Sequence, residues 1–374
     1  MTVAPDPSTG TSTEPEASGA AHPTLGRVVR TLDELYPPST AEAWDAVGLV
    51  AGDPGAPVRK VLFAVDPVEE VADEALAWGA DLLVTHHPLF LRPVHSVAAT
   101  TFKGSLVHRL IRGGGGGGGG PPPPPPPPRP RGRPPPPPPR RHPPRPARGA
   151  RAPAPGGGGG APPAPPPTPP AGGRGVADAL ADALDLLHRV PLVAHPAPSP
   201  HEAATTGTGR VGRLAEPTTL RAFAQRVAEA LPPTVQGVRV AGDLDATVES
   251  VAVVGGSGDS LFDAVRASGA DVYLTSDLRH HPVSELRERA RLEGDGDAGT
   301  PFLVDVPHYA SEWPWLRYAA EDLARALAHA QPGTVVETRV STLVTDPWTA
   351  RIASVPTNRP AEPAARPDPD ASPA

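Results

Sequence analysis

The strongest constraint on the fold is a segment in the middle of the chain, residues 113–175, that cannot form a hydrophobic core. Its 63 residues include 27 prolines, 18 glycines and nine arginines, but no leucine, isoleucine, phenylalanine, tyrosine or tryptophan. Burying so little apolar surface cannot offset the entropy lost on ordering, so we predict that this segment does not fold. It divides the chain of 374 residues into two folded blocks, residues 25–112 and 176–345. The polar ends, residues 1–24 and 355–374, are predicted to be disordered tails.

This Gly/Pro-rich segment has two candidate origins. A natural linker would contain stiff polyproline II stretches and could bind proline-recognising domains. However, structureless loops of this length are uncommon inside compact domains. The ordinary protein pattern stops at Arg112 and resumes at Val176. We therefore favour a frameshifted or misassembled stretch of a GC-rich gene, in which misread tracts encode Gly, Pro, Arg and Ala.

The charge balance of the folded blocks argues against general nucleic-acid binding. The chain has a formal charge of −7, but the nine arginines of residues 113–175 leave 25 basic against 41 acidic residues elsewhere. An acidic surface repels a phosphate backbone. The chain has no cysteine, which excludes disulfides and thiolate metal ligands. It also shows no apolar run of membrane-spanning length and no secretory leader pattern, so we expect a cytoplasmic protein without a membrane span.

Strand and helix patterns alternate in both blocks. In the first block, a strand at residues 60–66 precedes a helix from Val68 to Trp78, which is closed by Gly79, and a second strand at residues 81–85. Further helices are predicted at residues 102–112, 176–187, 216–231, 259–268, 283–292 and 312–330. Further strands are predicted at residues 235–240, 250–254, 271–274 and 302–306. This alternation predicts an α/β fold.

Two adjacent histidines, His86 and His87, follow the second strand and precede Pro88. Imidazole is the commonest metal ligand in proteins, and open α/β sheets bind ligands at the ends of their strands. Neighbouring side chains on a regular strand point to opposite faces, so the two rings converge only if the backbone turns there. The alternative is two loop histidines that are hydrogen-bonded to backbone and water.

A second candidate pair, His308 and Glu312, follows the last predicted strand. The two residues are four apart, so they share one face of a helix that begins by His308. Together with His86 and His87 they make a nitrogen and oxygen ligand set suited to zinc, iron or manganese. The alternative is an ordinary helix start, where the helix dipole favours a glutamate in the first turn.

Two polar turns follow neighbouring strands of the second block. Residues 255–258 (Gly-Gly-Ser-Gly) could bind an anion through backbone N–H groups, but they match neither a P-loop nor a dinucleotide fingerprint, so a simple tight turn is favoured. Residues 275–282 contain Asp277 and His281, which could be acid and base groups in a cleft or part of a capped helix start. Both turns leave the carboxyl ends of strands, and that position favours a site.

Five motifs of this chain occur in the order seen in the Nif-three-like family. They are residues 44–49, 81–90, 255–258, 275–277 and 307–312. Members of this family are named GTP cyclohydrolase 1 type 2 homologs or dinuclear metal centre hexameric proteins. The resemblance spans both blocks, and its details resemble actinobacterial members. The chain departs from the family pattern at three positions: Ala46 replaces Asn, Ser276 replaces Gly, and Pro307 replaces Gly.

The resemblance implies a protein of two similar α/β lobes, each with a mixed sheet flanked by helices, that assembles as a homohexamer with two metal ions per chain. By position, four residues match family metal ligands: His86, His87, His308 and Glu312. The family has a fifth ligand, an aspartate in a strand-turn between the blocks, and this sequence has nothing like it there. We therefore expect weak metal binding or binding at one site only. Three residues match pocket positions rather than ligands: Asp45, Asp277 and His281.

These patterns predict a divalent-metal-binding protein of hydrolase type. Two metal ions could activate a bridging water and polarise the reacting atom of a small-molecule substrate such as a nucleotide or phosphoester. Asp277 or His281 is the candidate for proton transfer. Because fold alone does not establish function, the alternative is a non-enzymatic metal-binding or interaction scaffold whose metal site is impaired by the missing aspartate.

Overall fold

The computed structural model describes residues 22–38, 47–90, 94–113, 174–195, 206–294 and 296–353. Most of the predicted tails and of the Gly/Pro-rich segment lies outside these ranges, as do Asp45 and Ala46. The helices are α1 (Leu25–Leu35), α2 (Glu69–Trp78), α3 (Phe102–Gly113), α4 (Val176–Ala183), α5 (Leu220–Ala230), α6 (Phe262–Ser268), α7 (His280–Glu293) and α8 (His308–Ala330). The strands are β1 (Lys60–Ala64), β2 (Leu82–Thr85), β3 (Leu187–Ala194), β4 (Gly207–Thr219), β5 (Arg239–Ala241), β6 (Thr247–Ser257), β7 (Val272–Ser276), β8 (Phe302–Val306) and β9 (Glu337–Val340).

The first block forms a parallel strand-helix-strand unit. The apolar strand β1 is buried at four of its five positions and pairs in parallel with β2. Between them, α2 ends at Gly79, whose φ of 73° is the left-handed conformation that glycine adopts most readily. The Asp81 carboxylate accepts hydrogen bonds from the backbone N–H groups of Arg59 and Lys60, and so holds the start of β1. The strand β9, from the end of the second block, pairs in parallel with the other side of β1.

The second block forms a six-stranded mixed sheet in the order β3-β4-β6-β7-β8-β5. The central strands β6, β7 and β8 are parallel, whereas β3, β4 and β5 run antiparallel to their neighbours. Helices flank both sheets, so the α/β fold predicted from the sequence is confirmed. None of the helices in the described ranges combines the length and the hydropathy that a bilayer crossing requires.

Several boundaries predicted in the second block were wrong. Of the strand predicted at residues 235–240, only the end is a strand, β5 at residues 239–241. Residues 216–219 extend β4 instead of starting a helix, because the Thr219 side chain caps α5 by accepting a hydrogen bond from the Ala222 N–H. Leu187 begins β3 instead of ending a helix. The glycine- and arginine-rich start of β4 has low strand propensity, and its pairing with β6 overrides that preference.

The two blocks share one hydrophobic core. Val61 and Phe63 of β1 belong to the same buried cluster as Leu180 of α4, Val253 of β6 and Leu316 of α8. The helix α8 contacts β1 and β9 of the small sheet and β6 and β7 of the large one. The two blocks therefore contact each other through buried apolar side chains, as the elements of a single domain do.

We predict that cutting the chain at a protease site introduced between residues 114 and 173 leaves two fragments that stay associated. The shared core and the pairing of β1 with β9 lie in the described residues on either side of the cut. Burial of apolar surface is the dominant force in such association. Gel filtration of the cut protein at micromolar concentration should show both fragments in one peak, and two separate peaks would contradict the prediction.

A pair of proline variants tests whether strand pairing contributes. The N–H groups of Glu337 and Ser341 donate to carbonyl groups of the β1 region, so the alternate N–H of Arg339 faces the same side. Arg339→Pro should weaken fragment association because it removes a ladder hydrogen bond. Thr338→Pro is the matched control, because the N–H of Thr338 faces away from β1.

Candidate metal centre

The ends of parallel strands from both sheets supply the residues of the site. Asp66 follows β1 and the histidine pair follows β2, whereas Asp277 follows β7 and His308 begins α8 after β8. The N–H groups of His86 and His87 donate to the carbonyl groups of Ala64 and Val65 at 3.0 and 2.9 Å. Two consecutive N–H groups facing one strand show that the backbone turns after β2, which allows both rings to converge. The carboxyl edges of the two sheets thus meet at one point.

Three imidazoles surround the carboxylate of Glu312, whose side chain is 1% exposed. Its Oε1 lies 3.3 Å from Nε2 of His86 and 3.1 Å from Nε2 of His308. Its Oε2 lies 3.0 Å from Nε2 of His87. The nitrogens Nε2 of His87 and His308 are 3.2 Å apart. The structure therefore brings together the four residues expected as ligands.

Two of the imidazoles are oriented by aspartates through their other ring nitrogen. Nδ1 of His87 lies 2.7 Å from Oδ1 of Asp66, and Nδ1 of His308 lies 2.7 Å from Oδ2 of Asp277. A carboxylate on Nδ1 favours the tautomer with a proton there, which leaves the Nε2 lone pair free for a metal ion. Asp277 adopts a left-handed backbone conformation with φ of 56°, which aspartate tolerates better than most residues other than glycine.

In the metal-free protein, the histidines and carboxylates of the site shift one another's pKa values strongly. Burial lowers the pKa of His87, but the hydrogen bond to Asp66 and the nearby Glu312 outweigh it and raise this pKa to about 9. The pKa of His308 rises to about 10, because Asp277 and Glu312 likewise outweigh burial. Burial raises the pKa of Glu312, yet the surrounding histidines hold it well below its usual range. A cation is thus favoured at this point, whether a proton or a metal ion.

The donor set fits a divalent metal ion. A tetrahedron with metal–ligand bonds of about 2.0–2.1 Å has edges of roughly 3.3 Å. The distances from each Nε2 to the nearest oxygen of Glu312, 3.0–3.3 Å, are close to this value. Candidate ligand atoms of His86, His87 and Glu312 all lie within 4.8 Å of one another. Oε2 of Glu312 is buried and has no hydrogen-bond partner among the described residues, although Nε2 of His87 lies 3.0 Å away. A cation at this point, either a protonated imidazole or a metal ion, stabilises such a buried carboxylate oxygen.

The Gly-Gly-Ser-Gly sequence packs against the site instead of forming an open anion cradle. Its first three residues end β6. Gly256 has φ of 71°, and a Cβ there would lie 2.7 Å from Oε1 of Glu312. Its N–H donates to Oγ of Ser311 at 2.8 Å, and Ser276, a departure from the family pattern, donates to the same oxygen at 2.9 Å. These contacts fix the start of α8 against β6 and β7.

The two residues expected to transfer protons are placed differently. Asp277 contacts the site through His308, and its side chain is 52% exposed. His281 is exposed near the start of α7, where its ring packs on His280 with centroids 5.1 Å apart. Within the described chain, no hydrogen bond or ion pair joins His281 to the metal centre. The pocket role of Asp45 falls outside the described residues.

Sequence reasoning missed Asp66 as the partner of His87. A register argument could have found it, because β1 and β2 pair in parallel with Ala64 opposite Thr85. Two residues further along, Asp66 is then level with His87. Trp315 of α8 contacts His86, and Thr345 of the C-terminal segment contacts Asp66. No sequence pattern indicated either contact.

Comparisons with known proteins identify the family of this chain. The sequence profile of Duf34/NIF3 (NGG1p interacting factor 3) matches residues 23–114 and 171–347, on either side of the Gly/Pro-rich segment. This chain belongs to that family. The resemblance predicted from the five motifs is therefore confirmed.

Curated relatives and solved structures extend the match over most of the chain. A Streptomyces coelicolor protein named GTP cyclohydrolase 1 type 2 homolog is 46% identical over 336 residues, which cover 90% of this chain and 97% of that protein. A Mycobacterium tuberculosis protein of the same name is 36% identical over 380 residues, with 87% and 96% covered. The structure of a Bacillus cereus protein related to NIF3 superimposes with a TM-score of 0.64 at 20% identity, covering 88% of this chain and 99% of that one. This last likeness shows the shared fold.

We predict that Asp66→Asn and Asp277→Asn each lower zinc affinity by about 10- to 100-fold, because an amide orients an imidazole less well and does not raise its basicity. Isothermal titration should show the loss. In metal-free Asp66→Asn protein, the pKa of His87 should fall from about 9 toward its ordinary value, as measured by NMR titration. Asp263→Asn is the control, because that side chain is 97% exposed. Unchanged zinc affinity in both variants would refute the orienting role.

We also predict that Gly256→Ala weakens zinc binding while Gly269→Ala does not. Both glycines have a positive φ, 71° and 68°, so both variants carry a left-handed strain of about 1–2 kcal/mol. A Cβ at Gly256 would collide with Glu312, whereas a Cβ at Gly269 meets nothing within 4 Å. Both variants should lose thermal stability through this strain, and equal zinc affinity in the two would contradict the close approach of Gly256 to Glu312.

Proposed function

We propose that this protein binds a divalent metal ion where its two blocks meet and uses it to hydrolyse a small phosphoester or nucleotide-like substrate. The observation that carries the proposal is the convergence of three imidazoles on the buried carboxylate of Glu312, with two rings oriented by aspartates. The name of the relatives, GTP cyclohydrolase 1 type 2 homolog, supports a nucleotide as the substrate class.

Four residues would hold the metal, which we propose to be zinc, iron or manganese: His86, His87, His308 and Glu312. A divalent ion in such a site supplies activation of water and polarisation of the electrophile. Glu312 offsets part of the charge of the ion, and Asp66 and Asp277 keep two imidazoles in the binding tautomer. We assign proton transfer to the half-exposed carboxylate of Asp277 or to His281.

The number of metal ions and the assembly follow from the family resemblance. It supports a dinuclear centre inside a homohexamer. A cytoplasmic location is proposed from the sequence alone. Against a full dinuclear centre, residues 113–175 contain no acidic residue that could replace the fifth ligand of the family. We therefore propose that the polypeptide retains one metal ion tightly at most, which elemental analysis of the purified protein measures directly.

The missing aspartate also favours a second candidate function. A centre that holds metal but has lost a ligand of its second ion would serve as a non-enzymatic metal-binding or interaction scaffold. This alternative shares the metal-binding prediction with the hydrolase and differs in the absence of turnover.

Turnover assays separate the two functions. Protein loaded with zinc, manganese or iron should hydrolyse at least one member of a panel of phosphoesters and nucleotides that includes GTP. The double variant His86→Ala/His87→Ala should lose this activity, because it removes two of the four expected ligands. His329→Ala, at an exposed position in the last turn of α8, is the histidine control. No activity above that of the double variant with any metal would rule out the hydrolase.

A further inference from the structure

His86 lacks the support that fixes the other two imidazoles. Asp66 and Asp277 hold Nδ1 of His87 and His308, whereas no described residue hydrogen-bonds to Nδ1 of His86. The outer torsion of a histidine side chain is broad, so its ring orientation depends on external contacts. A ring that is free to turn would present Nε2 to a metal ion for only part of the time.

At His86, the indole ring of Trp315 provides the support that an aspartate gives to each of the other two imidazoles. The ring of His86 packs edge-to-face on Trp315, with centroids 5.2 Å apart and an angle of 61° between the planes. Trp315 lies three residues after Glu312 on α8, so both side chains project from the same face of the helix. The helix therefore supplies both the carboxylate that faces Nε2 of His86 and the surface that stops its ring from turning.

Trp315 is itself held on two further sides. It is 6% exposed, and its Nε1 donates a hydrogen bond of 3.0 Å to the carbonyl oxygen of Arg174. Tyr36, at the end of α1, packs against it edge-on with centroids 5.3 Å apart. Arg174 is fixed in turn, because its guanidinium lies 3.6 Å from the ring centroid of Tyr318 and pairs with Asp322. The indole is thus a rigid surface.

We propose that Trp315 is a positioning residue that orients the imidazole of His86 for metal binding. The inference rests on the metal centre proposed above and not on its hydrolytic activity. The indole of Trp315 thus connects Arg174, near the end of the Gly/Pro-rich segment, to the metal ligand His86. Residues that surround a metal ligand and fix its orientation contribute to metal affinity.

The test compares two tryptophans of the same helix. Trp313 also donates from Nε1 to a carbonyl oxygen, that of Ser341 at 2.9 Å, but it makes no ring contact with His86. Trp315→Leu should lower zinc affinity by about 10-fold and alter the visible absorption spectrum of the cobalt-substituted protein. Trp315→Phe should retain most of the wild-type zinc affinity, because it keeps an aromatic edge beside His86. Trp313→Leu should leave both readouts unchanged.

Several outcomes would overturn the proposal. These are wild-type zinc affinity and an unchanged cobalt spectrum in Trp315→Leu, or an equal loss in Trp313→Leu. If Trp315→Leu does not fold, as judged by thermal unfolding, the comparison passes to Trp315→Met and Trp313→Met, which also remove the aromatic ring, and identical cobalt spectra in these two variants would overturn it. Wild-type protein that binds neither zinc nor cobalt would also overturn it. Protein that binds metal without turnover would refute only the hydrolase.

Discussion

The buried carboxylate of Glu312 is the constraint on which the rest of this structure depends. An isolated charge in a protein interior is too costly to persist, so opposite charge must surround it. Here the compensation comes from imidazoles on both blocks: His86 and His87 on one and His308 on the other. The blocks therefore have to meet at this point. The shared hydrophobic core supplies the surface that holds them there.

The geometry around that carboxylate places demands on the backbone. Gly256 must lack a side chain, because a Cβ would collide with Glu312. Ser311 accepts hydrogen bonds from the N–H of Gly256 and from the hydroxyl of Ser276, and donates to the carbonyl oxygen of His308. The start of α8 is thereby locked against two parallel strands. Such pre-organisation lowers the cost of ordering ligands when a metal ion binds.

Motifs with strong local signals could be predicted from the sequence, and pairings between distant segments could not. The apolar strand before the histidine pair and the four-residue spacing of His308 and Glu312 are local patterns, and they predicted an α/β fold and a ligand set. The strands β3, β4 and β9 were missed, because long-range pairing, not local propensity, decides them. Asp66 was missed for the same reason, since its role depends on the register of β1 against β2.

The sequence by itself determined the chemistry available to this protein: imidazole and carboxylate donors without thiolates, and a Gly/Pro-rich segment with too little apolar surface to fold. The tertiary structure decided which donors meet. It placed Asp277 against His308, left His281 exposed and set Trp315 against His86. The physical reason is that the residues of this metal centre come from the ends of several strands and from one face of α8. Their distances follow from sheet register and core packing, which no single segment encodes.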